Sequence, residues 1–327
     1  MKKILAVLFI FALVGAGKVY AQQDPIITQY MFNGLYFNPA LAGMEGQAKV
    51  SFLARAQWLG GSTDNGTPNT QLLTFNTALP KNYGGAGINL IRDYAGLMTN
   101  TDVQLSYAYH MNLGKGKLSI APRLGIVTRS YEGSKYRPND ENDPLVNKSN
   151  VSATTYDVTG GIYYKADKYF AGVSVAHLVP TKYNVGASKT STVTGVDGLR
   201  DPYVPCVYVT GGYIFDINPE WTLTPSFLYR TTDLTDMKQS SYDVNVMAAY
   251  RNRFWLGGTY RDSWGPAALV AFSMLKDNAL KISYSCDFTL PADEVRQLTS
   301  HEIGVTYNLN IGNRPAKPVI RTPRYRK

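Results

Sequence analysis

Short segments in which apolar and polar residues alternate run along most of this sequence, and about fourteen of them follow one another between residues 49 and 311. In the segment 280–290 every second residue is apolar: Leu280, Ile282, Tyr284, Cys286, Phe288 and Leu290. A period of two places successive side chains on opposite faces of a β-strand, so each segment has one apolar and one polar face. So many strands of this kind predict an all-β fold, a transmembrane antiparallel β-barrel of outer-membrane type, in which closure leaves no backbone group unpaired in lipid. A soluble exported β-sandwich or propeller is the alternative.

The first 21 residues have the features of a cleavable export signal. Lys2 and Lys3 precede an apolar stretch at 4–17, and Val19 and Ala21 supply small residues at the positions that a signal peptidase reads. The stretch is shorter than the roughly 20 residues that a membrane-spanning helix needs. We therefore expect cleavage after Ala21 and a mature protein that enters the membrane, if at all, with strands.

The predicted strands are joined by short turns at every second connection. The fourteen strands are expected at 49–58, 71–79, 84–94, 101–113, 117–131, 154–165, 169–179, 203–216, 221–231, 241–251, 254–262, 266–275, 280–290 and 300–311. Examples of the short turns are Gly114-Lys115-Gly116 and Asn252-Arg253, and the long connections fall between them. Outer-membrane barrels have short periplasmic turns and longer outer loops, so this parity indicates that both ends of the barrel face the periplasm.

The net charge gives no support for a nucleic-acid partner. The formal charge is +9, but three lysines lie in the signal and six cations lie in a Pro-rich terminal stretch without acidic residues. The part between them is formally neutral, which is not typical of a nucleic-acid-binding domain. We divide the chain into a signal peptide at 1–21, an N-terminal periplasmic or plug segment at 22–48, the outer-membrane barrel at 49–311 and a basic Pro-rich periplasmic tail at 312–327.

A dense aromatic block follows the signal and does not alternate as a strand does. It contains Thr28-Gln29-Tyr30-Met31-Phe32-Asn33, then Leu35-Tyr36-Phe37-Asn38-Pro39-Ala40 and Ala42-Gly43. This block resembles the opening of the PorP/SprF family, outer-membrane components of the type IX secretion system and of gliding motility. The resemblance implies a barrel in the cell outer membrane that works with a periplasmic secretion motor and with peptidoglycan-linked outer-membrane components. Some members of the family are tied to the export or surface attachment of adhesins, so the resemblance also implies secreted adhesin-type cargo.

The aromatic block can act in two ways, which the sequence leaves open. Asn38-Pro39 favours a turn, because an Asn side chain can bond its own backbone while proline fixes the next φ. The block can dock a periplasmic partner, or it can fold into the lumen as a plug whose aromatic side chains fill space, and both can hold. The candidate partner-binding residues are Gln29, Tyr30, Met31, Phe32, Asn33, Tyr36, Phe37, Asn38, Pro39, Ala40 and Gly43.

The residues that could carry chemistry are scattered, so we predict no catalytic, cofactor or metal site. The three histidines, His110, His177 and His301, lie far apart without metal-ligand spacing. A cluster of acidic residues lies in the loop 132–153, but it lacks the glycine and terminal glutamate of a calcium loop and favours a solvated surface: Asp140, Glu141 and Asp143.

Two further features have structural interpretations. The glycines of Gly84-Gly85-Ala86-Gly87 are not followed by the residues of a phosphate loop, and within a strand glycine permits bending or close approach. Cys206 and Cys286 lie far apart in predicted strands, which favours two small apolar side chains, with a disulfide as the alternative.

The leading functional hypothesis is a non-enzymatic barrel of the type IX secretion and gliding machinery. It would couple or anchor periplasmic machine components and adhesin-type cargo at the outer membrane. The alternative is an outer-membrane porin or a transport barrel for hydrophobic solutes, since the polar face of the strands is rich in Ser, Thr, Asn and Gly with scattered charges.

Overall fold

The chain folds into one antiparallel sheet that closes on itself. The computed structural model describes residues 24–59, 67–80, 83–135, 149–179, 204–233, 240–262, 264–289 and 299–309. The first strand, β1 (Ala48–Leu59), pairs with the last, β15 (Thr299–Leu309), and closes the barrel. Because β8 (Cys206–Tyr213) and β9 (Phe215–Asp216) are two parts of one strand interrupted at Ile214, the barrel has fourteen strands. The predicted fold, a transmembrane antiparallel barrel of about fourteen strands, is confirmed.

The other elements follow in chain order and pair as neighbours. The strands are β2 (Asn69–Ala78), β3 (Gly85–Ala95), β4 (Met98–Leu113), β5 (Gly116–Glu132), β6 (Asn150–Ala166), β7 (Tyr169–Ala176), β10 (Trp221–Thr231), β11 (Ser240–Tyr250), β12 (Phe254–Arg261), β13 (Gly265–Met274) and β14 (Leu280–Phe288). A one-turn α-helix, α1 (Gly34–Phe37), and three short 3-10 turns, Pro39–Leu41, Gly133–Lys135 and Lys276–Asn278, complete the described elements.

The predicted strands differ from these bounds mainly at their ends. β4 and β6 begin earlier than predicted, because residues 98–100 and 150–153 pair with β5. β7 ends at Ala176 rather than at residue 179, because His177 has a φ of 55° and leaves the extended conformation.

The two faces of the sheet are inverted relative to a soluble protein. Large apolar side chains point outward, where Leu105, Leu124 and Leu256 are 57%, 63% and 64% exposed. Charged side chains point inward, and Arg55 and Glu302 are completely buried. An apolar outer surface over a polar interior is the arrangement that lipid around the barrel requires.

The described helical turns are short. None of the helices in the described ranges is both long enough and apolar enough to cross a membrane.

The two ends of the barrel differ in their connections. The end at which β1 begins and β15 ends, here called the proximal end, carries tight turns such as 114–115, 167–168 and 251–253. The opposite, distal end carries the long connections between strands, together with a two-residue turn at Gly96-Leu97. Both chain ends of the barrel therefore lie on the side of the short turns.

Several predicted features lie outside the described residues. These are the signal peptide 1–21, the acidic loop residues Asp140, Glu141 and Asp143, and the tail 312–327. Cys206 and Cys286 are described, and both are free thiols, the first buried and the second partly exposed.

Candidate functional site

Residues 24–47, here called the lumenal segment, lie inside the barrel and bond to its wall on all sides. Hydrogen bonds join the segment to β1, β2, β4, β5, β6, β7, β8, β10, β12, β14 and β15. The segment begins in the distal half at Asp24, reaches the proximal mouth at Met31 and Phe32, turns back through α1, and leaves at the proximal end into β1. It therefore runs from the distal half to the proximal mouth and back to about the middle of the lumen before it leaves.

Glu302 of β15 holds the first part of the lumenal segment. Its carboxylate accepts the backbone N–H groups of Thr28 at 2.6 Å and Gln29 at 2.9 Å. The guanidinium of Arg55 donates to the same carboxylate at 2.6 Å and pairs with Asp287 at 2.8 Å. These charges are completely or almost completely buried, where removing one partner of an ion pair costs about 3–5 kcal/mol.

Thr28 connects this ion pair to a second one on β11 and β12 of the wall. Its hydroxyl lies 2.8 Å from both carboxylate oxygens of Asp287, and Arg261 donates to it at 3.3 Å. Arg261 also donates to the carbonyl of Ile27 at 3.2 Å and pairs with Asp243 at 2.9 Å. Wall charges thus satisfy the polar backbone of a segment that has no strand partner of its own.

The Asn38-Pro39 turn is bonded both locally and to the wall. The Asn38 side chain accepts a hydrogen bond from the N–H of Ala40 at 2.9 Å, which begins the 3-10 turn. Its amide donates to the carbonyls of Ile162 at 3.0 Å and Val173 at 3.3 Å, on β6 and β7. Each hydrogen bond of this kind contributes about 1 kcal/mol net, and an unpaired buried partner costs more.

Glycines in the wall give the segment room to approach. A Cβ at Gly161 would overlap Asn38 Oδ1 and lie 2.9 Å from Pro39 Cδ. A Cβ at Gly85 would overlap the carbonyl group of Ala42. Gly43 has a φ of 67°, and a Cβ there would lie 2.6 Å from the carbonyl oxygen of Thr77. Gly85 and Gly161 lie in strands and Gly43 lies in the segment itself, and all three allow close packing of the segment against the wall. For Gly85 this agrees with one interpretation of the Gly84–Gly87 sequence.

Apolar side chains of the segment form the core of the molecule. One cluster packs segment residues against inward side chains of the wall: Ile27, Tyr30, Tyr36 and Phe37 against Leu53, Leu72, Ile91, Ala176, Cys206, Tyr208 and Leu228. A second cluster contains Leu35, Ala40, Ala42 and Met44 with Ala108, Ala121 and Tyr163. Full burial of one large apolar side chain stabilises by about 1.5–3 kcal/mol, so these clusters hold the segment strongly.

Asp24 fixes the distal end of the segment. Its carboxylate lies 3.1 Å from Nε2 of His177 and accepts the Tyr208 hydroxyl at 2.5 Å. His177 in turn contacts Asp157 of β6 at 2.9 Å through Nδ1. Burial raises the pKa of Asp24, but the charge of His177 and the hydrogen bonds from His177 and Tyr208 lower it to about 2 overall.

The part of the segment nearest the proximal mouth is only partly covered. Met31, Phe32, Gly34 and Leu41 are half-buried, and Glu45, Gly46 and Gln47 are exposed. They line or border a cavity of about 200 Å³ between the segment and the wall. Its wall residues include Lys49, Lys165, Phe170 and Ile214.

The structure brings all the candidate partner-binding residues into the lumenal segment, in two environments. Those that are buried against the wall or within the segment are Gln29, Tyr30, Asn33, Tyr36, Phe37, Asn38, Pro39, Ala40 and Gly43. Only Met31 and Phe32 of the set are partly exposed, and both face the proximal mouth. A docking surface made by this block therefore has to use these two side chains together with neighbours that the prediction did not include.

The sequence did not reveal the wall residues that hold the segment. Arg55, Asp287 and Glu302 stand at polar positions of alternating strands, as scattered lumen charges would, and no spacing connects them. The feature that could have indicated these residues is the presence of charged side chains on strand faces whose other polar residues are uncharged. Arg123, which donates to the carbonyl of Tyr36 at 2.6 Å, was missed for the same reason.

Solved structures of outer-membrane proteins are similar in fold at low identity. A Pseudomonas aeruginosa FadL homologue is 12% identical, with 90% of this chain and 96% of that chain covered and a TM-score of 0.49. The Acinetobacter baumannii outer membrane protein Omp33 is 8% identical, with 82% and 100% covered and a TM-score of 0.43. The P. putida toluene transporter TodX is 11% identical, with 83% and 92% covered and a TM-score of 0.47. A comparison with curated proteins gave no match.

A family model matches nearly the whole chain. It is described as type IX secretion system membrane protein PorP/SprF and matches residues 19–307, which includes the lumenal segment and almost all of the barrel. The resemblance of the opening block is thereby confirmed, and the fold and the family together place the protein in the outer membrane. The chain belongs to the PorP/SprF family of type IX secretion system membrane proteins.

Proposed function

We propose that this outer-membrane component of type IX secretion couples or anchors periplasmic machine components at the membrane. The partners would be motor and peptidoglycan-linked components, and through them secreted adhesin-type cargo and gliding motility. Membership of the family supports a role among the secretion components, and the proposal adds which part of the molecule carries it. That part is the proximal mouth with the side chains of Met31 and Phe32.

The observation that carries the proposal is the exposure of these two side chains in a block that is otherwise buried. The wall fixes the segment on both sides of them, through Glu302 and through Asn38. Side chains held in position by a rigid support lose little entropy when a partner binds. The short turns at this end also support a periplasmic orientation, because outer-membrane barrels keep their short turns there.

The filled lumen favours this role over a general porin. A porin needs a water-filled channel, whereas the lumenal segment bonds to wall strands around the barrel and contributes to two apolar clusters. A support with fixed side chains at one mouth is better suited to binding a protein than to passing solutes.

Replacement of the two exposed anchors tests the proposal. We expect Met31→Ser with Phe32→Ser to leave a folded barrel, checked by its heat-modifiable gel mobility, that co-purifies less periplasmic secretion machinery and secretes less cargo. The matched control is Leu178→Ser, which changes an apolar side chain that is 46% exposed beyond the distal end of β7. Unchanged co-purification and secretion in the double variant, or equal losses in the control, would contradict the proposal.

A further inference from the structure

The proximal mouth carries more positive than negative charge. Among the described residues, Lys49, Lys165 and Lys281 surround the carboxylate of Glu45 at this mouth. Lys49 lies 3.4 Å from Glu45. The pKa of Glu45 is lowered, first by Lys49 and further by Lys165 and Lys281, which means that all three ammonium groups act on this one carboxylate. These four side chains carry an excess of two positive charges.

Two of the lysines lie beyond ion-pair distance of the described carboxylates. In the described ranges of the chain, neither Lys165 nor Lys281 forms an ion pair with a carboxylate. The ammonium group of Lys281 lies 3.8 Å from the ring centre of Trp255 and 4.5 Å from that of Phe32. Aromatic faces at such distances attract a cation and fix its position, and they leave its hydrogen-bonding capacity for an anion.

Apolar side chains adjoin these charges in the cavity. Phe32, Leu41 and Phe170 line it together with Lys49 and Lys165, and Lys281 lies beside it against Phe32. The volume, about 200 Å³, lies below the roughly 300–1,000 Å³ of sites that enclose a free small molecule. It is suited to a single large side chain that enters from an attached chain, while neighbouring groups remain at the mouth.

We propose that the proximal mouth binds a peptide segment of a periplasmic partner in which an apolar or aromatic residue is flanked by acidic residues. The apolar residue enters the cavity, and the carboxylates pair with Lys165 and Lys281. This assignment rests on the proposed function and specifies the chemistry of the partner. The basic tail of this chain is not the occupant, because its six cations would meet the lysines of the mouth.

Photo-crosslinking in cells tests the proposal with the full-length protein. The crosslinker is introduced as Gln47→p-benzoyl-phenylalanine, at an exposed position two residues after Glu45. Captured segments are identified by mass spectrometry. We expect a segment with Asp or Glu within three residues of an apolar or aromatic residue, from a protein of the secretion machinery.

Charge variants on the same background make the test specific. Lys165→Glu should lower capture roughly fivefold, as expected for the reversal of an exposed charge that makes one or two ion pairs. Lys165→Arg should preserve capture. Lys115→Glu, in an exposed turn of the same end but outside the cavity, is the matched control and should have no effect. Capture in isolated membranes should also fall as salt is raised from 50 to 500 mM, because exposed charges are screened.

The outcomes separate the two proposals. Capture of a secretion component through a neutral or basic segment, insensitive to Lys165→Glu, would overturn the acidic partner and leave the docking function standing. Capture of lipid alone, or of no secretion component, would overturn both. Equal losses in Lys165→Glu and Lys115→Glu would show a general charge effect and would also overturn the acidic partner.

Discussion

Single side chains in this barrel replace the hydrogen bonds that the lumenal segment cannot make within a sheet. Glu302 accepts two consecutive backbone N–H groups, and Asn38 donates to two strand carbonyls. These contacts join residues more than a hundred positions apart, so no local pattern encodes them. The sequence indicated that Asn38 begins a turn, because that effect is local, but it did not indicate that β6 and β7 receive its amide.

Acidification should release the distal end of the lumenal segment. The pKa of Asp24 falls from 3.8 to about 2 in the folded protein, so its contacts stabilise above pH 3.8 and are lost as the pH falls towards 2. The shift corresponds to about 2 kcal/mol. A spin label introduced as Pro25→Cys, with Cys206 and Cys286 replaced by serine, should gain mobility across this interval. In Asp24→Asn the label should be mobile at every pH, and a wild-type label whose mobility does not change between pH 5 and pH 2 would contradict the assignment.

At the scale of elements, the strands were predictable and the path of the segment was not. Alternation located the fourteen strands because each strand must present one face to lipid and the other to the lumen. It gave less accurate ends where pairing with a neighbour extends a strand, as at Met98 and Asn150. The lumenal segment shows neither the two-residue period of a strand nor the 3.6-residue period of a helix. The sequence therefore indicated a turn and a dense aromatic block, but it left the location of the segment open.

Substitution of a wall glycine should displace the second half of the segment. In Gly161→Ala the new methyl group meets Asn38 and Pro39, and overpacking of this kind costs about 1–3 kcal/mol. Hydrogen exchange of residues 34–44, measured by mass spectrometry, should become faster by tenfold or more. The control is Gly258→Ala, where the nearest atom to the new Cβ is the carbonyl oxygen of Ala267 at 3.9 Å. Equal exchange in both variants would argue against a wall contact that holds the turn.

At the scale of the whole molecule, the barrel is a closed wall around its own N-terminal segment. Polar and charged side chains line the inside, and the segment uses many of them as partners. The fold class followed from the alternation of apolar and polar residues, and the family followed from the opening block. The filled lumen did not follow, because it depends on contacts across the barrel that only the closed structure brings together.

Removal of the segment should convert a closed barrel into a conducting one. We expect wild-type protein to show little steady conductance in planar bilayers and a variant lacking residues 24–47 to show large, steady channels. The reason is that the deletion leaves a lumen lined by polar and charged groups such as Arg55, Asp243 and Asp287. Heat-modifiable gel mobility verifies that the variant is folded, and large steady channels in wild-type protein would instead favour a porin.

Closure of β1 on β15 also links the position of the lumenal segment to the last strand of the barrel. The backbone N–H of Thr28 bonds to Glu302, which stands 274 positions later on the strand that completes the ring. The carboxylate that accepts the backbone N–H groups of Thr28 and Gln29 is therefore in place only when the last strand is present. Binding of the lumenal segment at Glu302 therefore depends on a completed barrel. A chain truncated before β15 would lack both the pairing that closes the barrel and the carboxylate that binds the segment.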